Sequence, residues 1–172
     1  MNGSKWFVIT DVDFGDSEGV SSHKTPWHYL SSEWEHKFPN DQLWKIEHAS
    51  YVITISRPFT IDYPKSHSPI IYVGEGMAHA RFRDHLGHKL IPMLENLRGA
   101  KFDFWVLPCD DKSQIVATEA QMLDHFDEQY GGKPLFNVQS GKATSALAHP
   151  DWFQPLDGRR RGKRHWAIRP LK

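Results

Sequence analysis

Two short runs of apolar, largely β-branched residues stand out near the middle of the chain. The first is Tyr51 to Ile55 (YVITI), and the second is Ile70 to Val73 (IIYV), which the segment 74–76 (GEG) interrupts. Runs of this kind, bounded by glycine and proline, are typical of buried strands. The segment between them contains three prolines, Pro58, Pro64 and Pro69. We therefore predict two strands that form a hairpin with a long and irregular connection.

Helical spacing follows this pair of strands over residues 77–90. The apolar side chains that recur four positions apart there are Phe82, Leu86 and Leu90. This spacing places them on one side of an α-helix. Pro92 either ends that helix or begins a second one, which would extend to Leu97 and stop at Gly99.

The pattern then changes from strand to helix once more. Residues 102–107 (FDFWVL) predict a third strand. The next helix should run from Ser113, a suitable N-cap, to Tyr130, where two glycines stop it. The predicted order is strand, strand, helix, short helix, strand, helix. This order indicates an α+β fold with a small central sheet, mainly antiparallel and flanked by helices.

The first 48 residues carry weaker patterns. Trp6 to Thr10 (WFVIT) predicts a short strand, which the acidic and glycine-containing stretch after it would end. Residues 26–38 favour a helix in which Trp27 and Trp34 belong to the apolar side. Thr25 is the predicted N-cap of that helix because Pro26 then occupies its first position.

Composition narrows the classes of protein to consider. No apolar run approaches the ~18 residues that a membrane span needs, and residues 1–6 lack the layout of a signal peptide. The single cysteine, Cys109, excludes an internal disulfide framework and a zinc cluster of thiolates. We therefore expect a cytoplasmic protein with no membrane partner.

The net charge of zero hides an uneven distribution. Residues 157–172 contain seven basic side chains and one acidic side chain, so the rest of the chain is acidic. The block at the centre of this basic tail comprises Arg159, Arg160, Arg161, Lys163 and Arg164. Such blocks commonly contact nucleic acid, because each phosphate contact releases counterions. A solvated terminal tail is the alternative, and for a lone basic run it is the commoner one.

Four polar residues on the predicted elements are candidates for chemistry. Tyr72 lies in the second strand, and Arg81 and His85 lie four apart on one face of the following helix. Glu119 lies near the start of the last predicted helix. Each residue alone has an ordinary structural explanation, such as packing in a strand or compensation of a helix dipole. Only their joint order along the chain is informative.

That joint order resembles the GIY-YIG nuclease superfamily over roughly residues 49–138. The matching positions are Tyr51 in Ala49-Ser50-Tyr51, Tyr72 in Tyr72-Val73-Gly74, Arg81, His85, Glu119, and Asn137 after Pro134. The first motif keeps the tyrosine and the hydrophobic Ile53, but it lacks the glycine and isoleucine of the family pattern. Tyr63 lies in the same predicted hairpin and is the alternative to Tyr51.

The resemblance implies a metal-dependent endonuclease that hydrolyses DNA phosphodiester bonds with a tyrosine-activated water. It implies that Tyr51 is the base, that His85 or Tyr72 shares its proton, and that Arg81 clamps the scissile phosphate. Glu119 would hold Mg²⁺ or Mn²⁺ together with water and phosphate oxygens. A free tyrosine has a pKa of about 10. Arg81 and the cation are therefore expected to lower the pKa of Tyr51.

The same resemblance implies the organisation of the whole chain. Residues 49–138 would form the catalytic domain, in which Asn137 supports the site from behind. The extension 1–48 and the tail 139–172 are candidate contacts with duplex DNA. The compact length favours a restriction-type enzyme, which as a homodimer could cut both strands. The alternatives are a catalytically silent nucleic-acid-binding module and a repair or RNA-directed nuclease of the same fold.

Other polar signals are weaker. His85 and His88 lie three apart on one predicted helix, but no His-Glu-x-x-His pattern exists. The acidic pairs at 11–13 and 110–111 follow predicted strands, where aspartate favours turns. Cys109 has no activating partner in the sequence, so we expect an unreactive thiol.

Overall fold

The computed structural model of the chain describes residues 6–12, 24–41, 43–97, 99–138, 141, 144–157 and 167–168. Of residues 24–26, 94–96 and 157 it describes the backbone only. The elements in chain order are β1 (Phe7–Val12), α1 (Lys24–Lys37), β2 (Ala49–Ile55), β3 (Ile61–Asp62), β4 (His67–Ser68), β5 (Ile70–Gly76), α2 (Ala78–His85), α3 (Ile91–Asn96), β6 (Phe102–Pro108), α4 (Lys112–Tyr130) and α5 (Gln154–Asp157).

The central sheet has four antiparallel strands in the order β1-β6-β2-β5. Strand β2 lies inside the sheet, and all seven of its residues are buried. The register places Tyr51 opposite Gly74 and Ile53 opposite Tyr72. The predicted antiparallel hairpin is therefore present, and the α+β prediction with an antiparallel sheet flanked by helices is confirmed.

The connection between β2 and β5 carries a small ladder of its own. Strands β3 and β4 pair over two residues each. Ile168 pairs with this connection. Its N–H donates to the carbonyl of Thr60, and its carbonyl accepts from the N–H of Asp62, both at 2.8 Å. The long connection is thus partly ordered by a segment from the other end of the chain.

The described part of the predicted N-terminal extension belongs to the sheet. Strand β1 pairs along β6 and forms one edge. Helix α1 covers this edge, where the rings of Trp34 and Phe38 lie 5.9 Å and 5.1 Å from the ring of Phe7. The helix begins at Lys24, so the prediction that Thr25 precedes it as the N-cap is wrong. A role of residues 1–48 in DNA recognition stays a prediction.

The helical segment after β5 changes its winding partway. Helix α2 ends at His85, and a π-helical turn follows over Leu86–Leu90, in which the N–H of Ile91 bonds to the carbonyl of Leu86. Helix α3 then begins with Pro92 in its first turn. The second of the two predictions for Pro92 is therefore correct, since the proline opens a helix.

Helix α4 begins two residues earlier than the sequence pattern predicts. The carboxylate of Asp111 accepts the N–H of Gln114 at 2.9 Å, which makes Asp111 the N-cap. The prediction of Ser113 as the cap is wrong because the extended backbone of Asp111 already supplies an acceptor for the open first turn. Gly131 ends the helix with a φ of +74°, a conformation that suits glycine.

Two helices fix the strands that carry the motifs. Phe82 of α2 packs edge-on against Tyr51 at 5.1 Å and against Phe104 at 5.0 Å between ring centroids. Helix α4 packs on β5 and β2. Its Phe126 meets the ring of Tyr63 at 4.9 Å. Side chains on α2 and α4 are thereby held against the same pair of strands.

A buried carboxylate joins β1, β2 and β6. Asp103 on β6 accepts the hydroxyl protons of Thr54 at 2.8 Å and Ser56 at 2.5 Å. It also accepts the N–H of Asp11 at 2.9 Å. Asp11 has a φ of +55°, and the pairing of β1 with β6 shifts register beside it. The carboxylate therefore satisfies backbone and side-chain donors where the edge strand is irregular.

Replacing Asp103 with Ala should be strongly destabilising, because it leaves three donors without this acceptor. We expect the free energy of unfolding to fall by about 3 kcal/mol or more. Urea denaturation measures the change. The exposed Asp110 is the matched control, and its replacement with Ala should cost less than about 0.5 kcal/mol. A comparably small effect at Asp103 would show that the network contributes little.

Candidate active site

The two motif tyrosines lie side by side on one face of the sheet. Tyr51 pairs with Gly74, and Tyr72 lies two residues from Gly74 on the same strand, so both side chains point to one face. Their rings are 5.9 Å apart between centroids and inclined by only 28°. The diagonal position across neighbouring strands accounts for this near-parallel packing.

Gly74 leaves the space that the Tyr51 ring occupies. A Cβ atom at this position would lie 2.6 Å from Cζ and Oη of Tyr51 and 2.6 Å from Cε1 of Tyr72. These distances are far below van der Waals contact, so any side chain would displace a phenol. The glycine of the Tyr72-Val73-Gly74 motif therefore has a steric reason in this fold.

The phenol of Tyr51 has a direct partner on α2. Its Oη lies 3.0 Å from Nε2 of His85, and both residues are buried, with 0% and 5% of their surface exposed. The His85 ring also lies 4.3 Å from the ring of Tyr72. Burial lowers the pKa of His85 to about 4, and the positive charge of Lys89 adds to this. The imidazole is therefore neutral at pH 7 and either donates to or accepts from the phenol.

Arg81 lies one turn before His85 on the same helix and is exposed. Its Nε is 3.5 Å from the point where a Cβ on Gly76 would stand, so the side chain lies over the end of β5. Its positive charge lowers the pKa of both Tyr51 and Tyr72. The guanidinium is therefore within electrostatic reach of the two phenols.

Glu119 lies on α4, where it is half-buried. Its negative charge raises the pKa of Tyr51 and of Tyr72, so it is within electrostatic reach of both phenols. Among the described residues, no group of three His, Cys, Asp or Glu side chains forms a ligand set for a metal ion. A single carboxylate suits a cation that keeps most of its water, which is how Mg²⁺ usually binds.

The pKa of Tyr51 differs from the sequence expectation. Burial is the largest influence and raises this pKa well above its ordinary value, and Tyr72 raises it further. Arg81 acts in the expected direction, but its effect is smaller than that of burial. The phenol of the protein by itself is therefore protonated at neutral pH, whereas we had expected a lowered pKa.

Asn137 holds the edge of the strand that bears Tyr72. Its amide oxygen accepts the N–H of Val73 at 2.9 Å, and its amide nitrogen donates to the carbonyl of Val73 at 2.7 Å. The side chain thus pairs with β5 as a neighbouring strand would. This contact explains how an asparagine far along the chain can fix the position of Tyr72 without touching it.

Tyr63, the alternative to Tyr51, has a different environment. Its hydroxyl donates to the carbonyl of Ile70 at 2.6 Å and accepts the N–H of Leu135 at 3.0 Å. Its ring packs against Phe126 and Tyr130. Both hydrogen bonds are to backbone groups, so Tyr63 ties β5 to the loop after α4. The geometry favours Tyr51 as the motif residue.

The other predicted residues that the structure describes do not join this cluster. His88 is exposed and lies 3.6 Å from Asp84. Burial raises the pKa of the Cys109 thiol, which agrees with the expected low reactivity. The basic residues Arg159, Arg160, Arg161, Lys163 and Arg164 lie outside the described residues, as does Asp13 of the acidic pair.

One cation near the site was missed by the sequence analysis. Nζ of Lys89 lies 3.9 Å from the centroid of the Tyr72 ring. Lys89 is four residues after His85, and this spacing was the available signal. In a continuous α-helix, however, each step of four residues moves a side chain about 40° further around the axis. Lys89 would then lie about 80° around the helix axis from Arg81, away from the side of the helix that faces the two tyrosines.

Compared with models of known protein families, with curated proteins and with solved structures, this chain matches none. The resemblance to GIY-YIG nucleases therefore stays a prediction from the motif residues. In the described part of the chain, no helix has the length and apolar character that crossing a bilayer requires.

Replacing Gly74 with Ala should displace the Tyr51 phenol and break its hydrogen bond to His85. We expect overpacking to lower the free energy of unfolding by about 1–3 kcal/mol, and a crystal structure should show the ring moved. Gly132 is the control, because an added Cβ there would lie 3.8 Å from Pro64, an ordinary contact. If Gly74→Ala kept both stability and ring position, the steric explanation would be wrong.

The pH dependence of stability should reveal the buried imidazole of His85. Its folded-state pKa of about 4 lies below that of an unfolded histidine, so the unfolded chain binds the proton more readily. The free energy of unfolding should therefore fall as the pH drops from about 6.5 towards 4, by up to about 1.4 kcal/mol per pH unit from this group. When urea denaturation is measured at a series of pH values, His85→Gln should lack this fall in the free energy of unfolding. An identical slope in both proteins would contradict the assignment.

Proposed function

We propose that this protein is a metal-dependent endonuclease of the GIY-YIG type, which hydrolyses phosphodiester bonds in DNA. The observation that carries the proposal is the buried hydrogen bond between Tyr51 and His85, with the charges of Arg81 and Glu119 acting on the same phenol. These groups come from β2, α2 and α4. A carboxylate and a guanidinium whose charges act on this phenol are groups that the proposed chemistry needs.

Each side chain has a defined part in the proposed reaction. Tyr51 takes the proton of the attacking water, and the neutral His85 beside it shares or relays that proton. Tyr72, stacked on Tyr51, limits the orientations of the phenol. Arg81 is exposed and carries a planar fork of donors, so it clamps the oxygens of the scissile phosphate. Asn137 holds the strand of Tyr72.

Glu119 is the residue that would hold the divalent cation. Mg²⁺ or Mn²⁺ there would supply positive charge to a phosphate on which negative charge grows, and it would reverse the effect of Glu119 on the two phenols. Burial makes the neutral form of Tyr51 the resting form, so the base becomes active only when positive charge gathers beside it. The Arg81 guanidinium already contributes in this direction.

Restriction-type cleavage of duplex DNA is the preferred form of this activity. The basic tail and the segment 1–48 are proposed as the DNA contacts, and a homodimer is proposed for cutting both strands. One observation favours the alternative of a binding module without turnover: none of the surface of Tyr51 is exposed, whereas a base must reach its water. A repair or RNA-directed nuclease would use the same residues.

Incubation with plasmid DNA in Mg²⁺ or Mn²⁺ tests the proposal. We expect the unaltered protein to cut, and we expect Glu119→Gln and Tyr51→Phe to lower the rate by about 10²–10⁴-fold. Fluorescence anisotropy should show that Glu119→Gln still binds DNA, since the carboxylate repels phosphate. Asp124→Asn, which alters an exposed acid on the same helix, is the control and should cut normally.

The result of this experiment separates the candidate functions. Discrete fragments would support a restriction-type enzyme, and activity on RNA alone would support an RNA-directed nuclease. Binding without cleavage by the unaltered protein, in both metals, would overturn the nuclease proposal and leave the binding module.

A further inference from the structure

Lys89 places a second positive charge at the site, and the proposed chemistry does not use it. Its Nζ lies over the ring of Tyr72 at 3.9 Å and is 3.4 Å from the carbonyl oxygen of Phe136. The side chain is half-buried. Burial lowers its pKa, Asp84 opposes this, and the charge of Arg81 lowers the pKa further. Lys89 is thus held close to Tyr72 and within electrostatic reach of Arg81.

The π-helical turn places Lys89 on the same side of the helix as Arg81 and His85. In an α-helix, eight residues carry a side chain about 80° around the axis. In the π-helical turn Leu86–Leu90, an N–H bonds to the carbonyl five residues back and not four, so each turn contains more residues. This winding reduces the angle of about 80° between Arg81 and Lys89. Lys89 therefore lies in one row along the helix with Arg81 and His85, and this row faces Tyr51 and Tyr72. Turns of this kind are frequent at functional sites.

The two cations of this row form no close ion pair among the described residues. The ion pair on this helical segment joins His88 and Asp84, and neither Arg81 nor Lys89 pairs with a carboxylate of the described residues. Both positive charges lower the pKa of His85, which lies between them. Arg81 is exposed and Lys89 is half-buried, and like charges on one side of a helical segment repel each other. An anion bound between or beside them would remove this cost.

We propose that Lys89 binds the backbone phosphate next to the scissile phosphate held by Arg81, so that the site takes a polynucleotide and not an isolated phosphoester. This inference rests on the proposed function. Eight helical residues separate the two Cα atoms by up to about 12 Å along the axis. That separation suits two successive phosphates better than two oxygens of one phosphate. Lys89 is therefore a binding residue for the substrate backbone.

The salt dependence of binding isolates a single phosphate contact. Duplex DNA of mixed sequence is titrated in EDTA, without cleavage, over a series of salt concentrations. For Lys89→Met, the slope of log Kobs against log salt should be less steep by about 0.9 than for the unaltered protein. Lys89→Arg keeps the charge and should keep the slope. The same titration is made with a single-stranded RNA of the same length. There the slope for Lys89→Met should be less steep by about 0.7.

Lys65 provides the matched control. Its Nζ also donates to a backbone carbonyl, that of Glu128 at 3.0 Å, and it lies outside the segments proposed to contact DNA. Lys65→Met removes a comparable contact and should leave the slope unchanged. If Lys89→Met does not fold, as judged by circular dichroism, Lys89→Gln takes its place in the same titration.

The outcomes distinguish this inference from the proposed function. A reduced slope for Lys89→Met on either nucleic acid, with Lys89→Arg and Lys65→Met unchanged, supports the phosphate contact whether or not the protein cleaves. An unchanged slope in folded Lys89→Met means that the lysine only packs on Tyr72, and it overturns the inference while leaving the nuclease proposal intact. No binding of DNA or RNA by the unaltered protein overturns both.

Discussion

The buried hydrogen bond between Tyr51 and His85 is the constraint on which the rest of the site depends. A phenol taken out of water without a partner costs about 1–3 kcal/mol, so Tyr51 at 0% exposure requires the imidazole 3.0 Å away. The bond needs α2 to lie close against β2, which the packing of Phe82 provides. It also needs the empty space over Gly74. The hydrogen bond therefore depends on β2, on α2 and on Gly74 together.

The same burial sets the electrostatic balance of the site. It keeps the Tyr51 phenol and the His85 imidazole neutral, so the charge of the site comes from the side chains around them. Among the described residues, Arg81 and Lys89 contribute positive charge, and Glu119, Glu75 and Asp84 contribute negative charge. On the proposed function, substrate phosphate and a divalent cation complete this set. On the same proposal, the protein without substrate holds its base protonated and its anion-binding groups exposed or half-buried.

Local sequence patterns predicted the parts of the fold that local interactions determine. The runs of β-branched residues gave β2 and β5, and helical spacing gave the helix that bears Arg81 and His85. The pairing of β1 with β6 joins residues almost a hundred positions apart, which no local pattern records. The π-helical turn was missed for a different reason, because periodicity assumes one winding throughout. Lys89 was missed with it. The lowering of the Tyr51 pKa by Arg81 was expected, but the larger, opposite effect of burial was not.

The most direct test of the account is the effect of bound Mn²⁺ on the proton resonances of the site. Mn²⁺ is paramagnetic and broadens signals from nuclei close to it. If Glu119 holds the cation beside the tyrosines, added Mn²⁺ should selectively broaden the ring signals of Tyr51, Tyr72 and His85, and Glu119→Gln should abolish this. Uniform weak broadening across the protein, or the same pattern in Glu119→Gln, would contradict the proposal that Glu119 holds a cation close to these side chains.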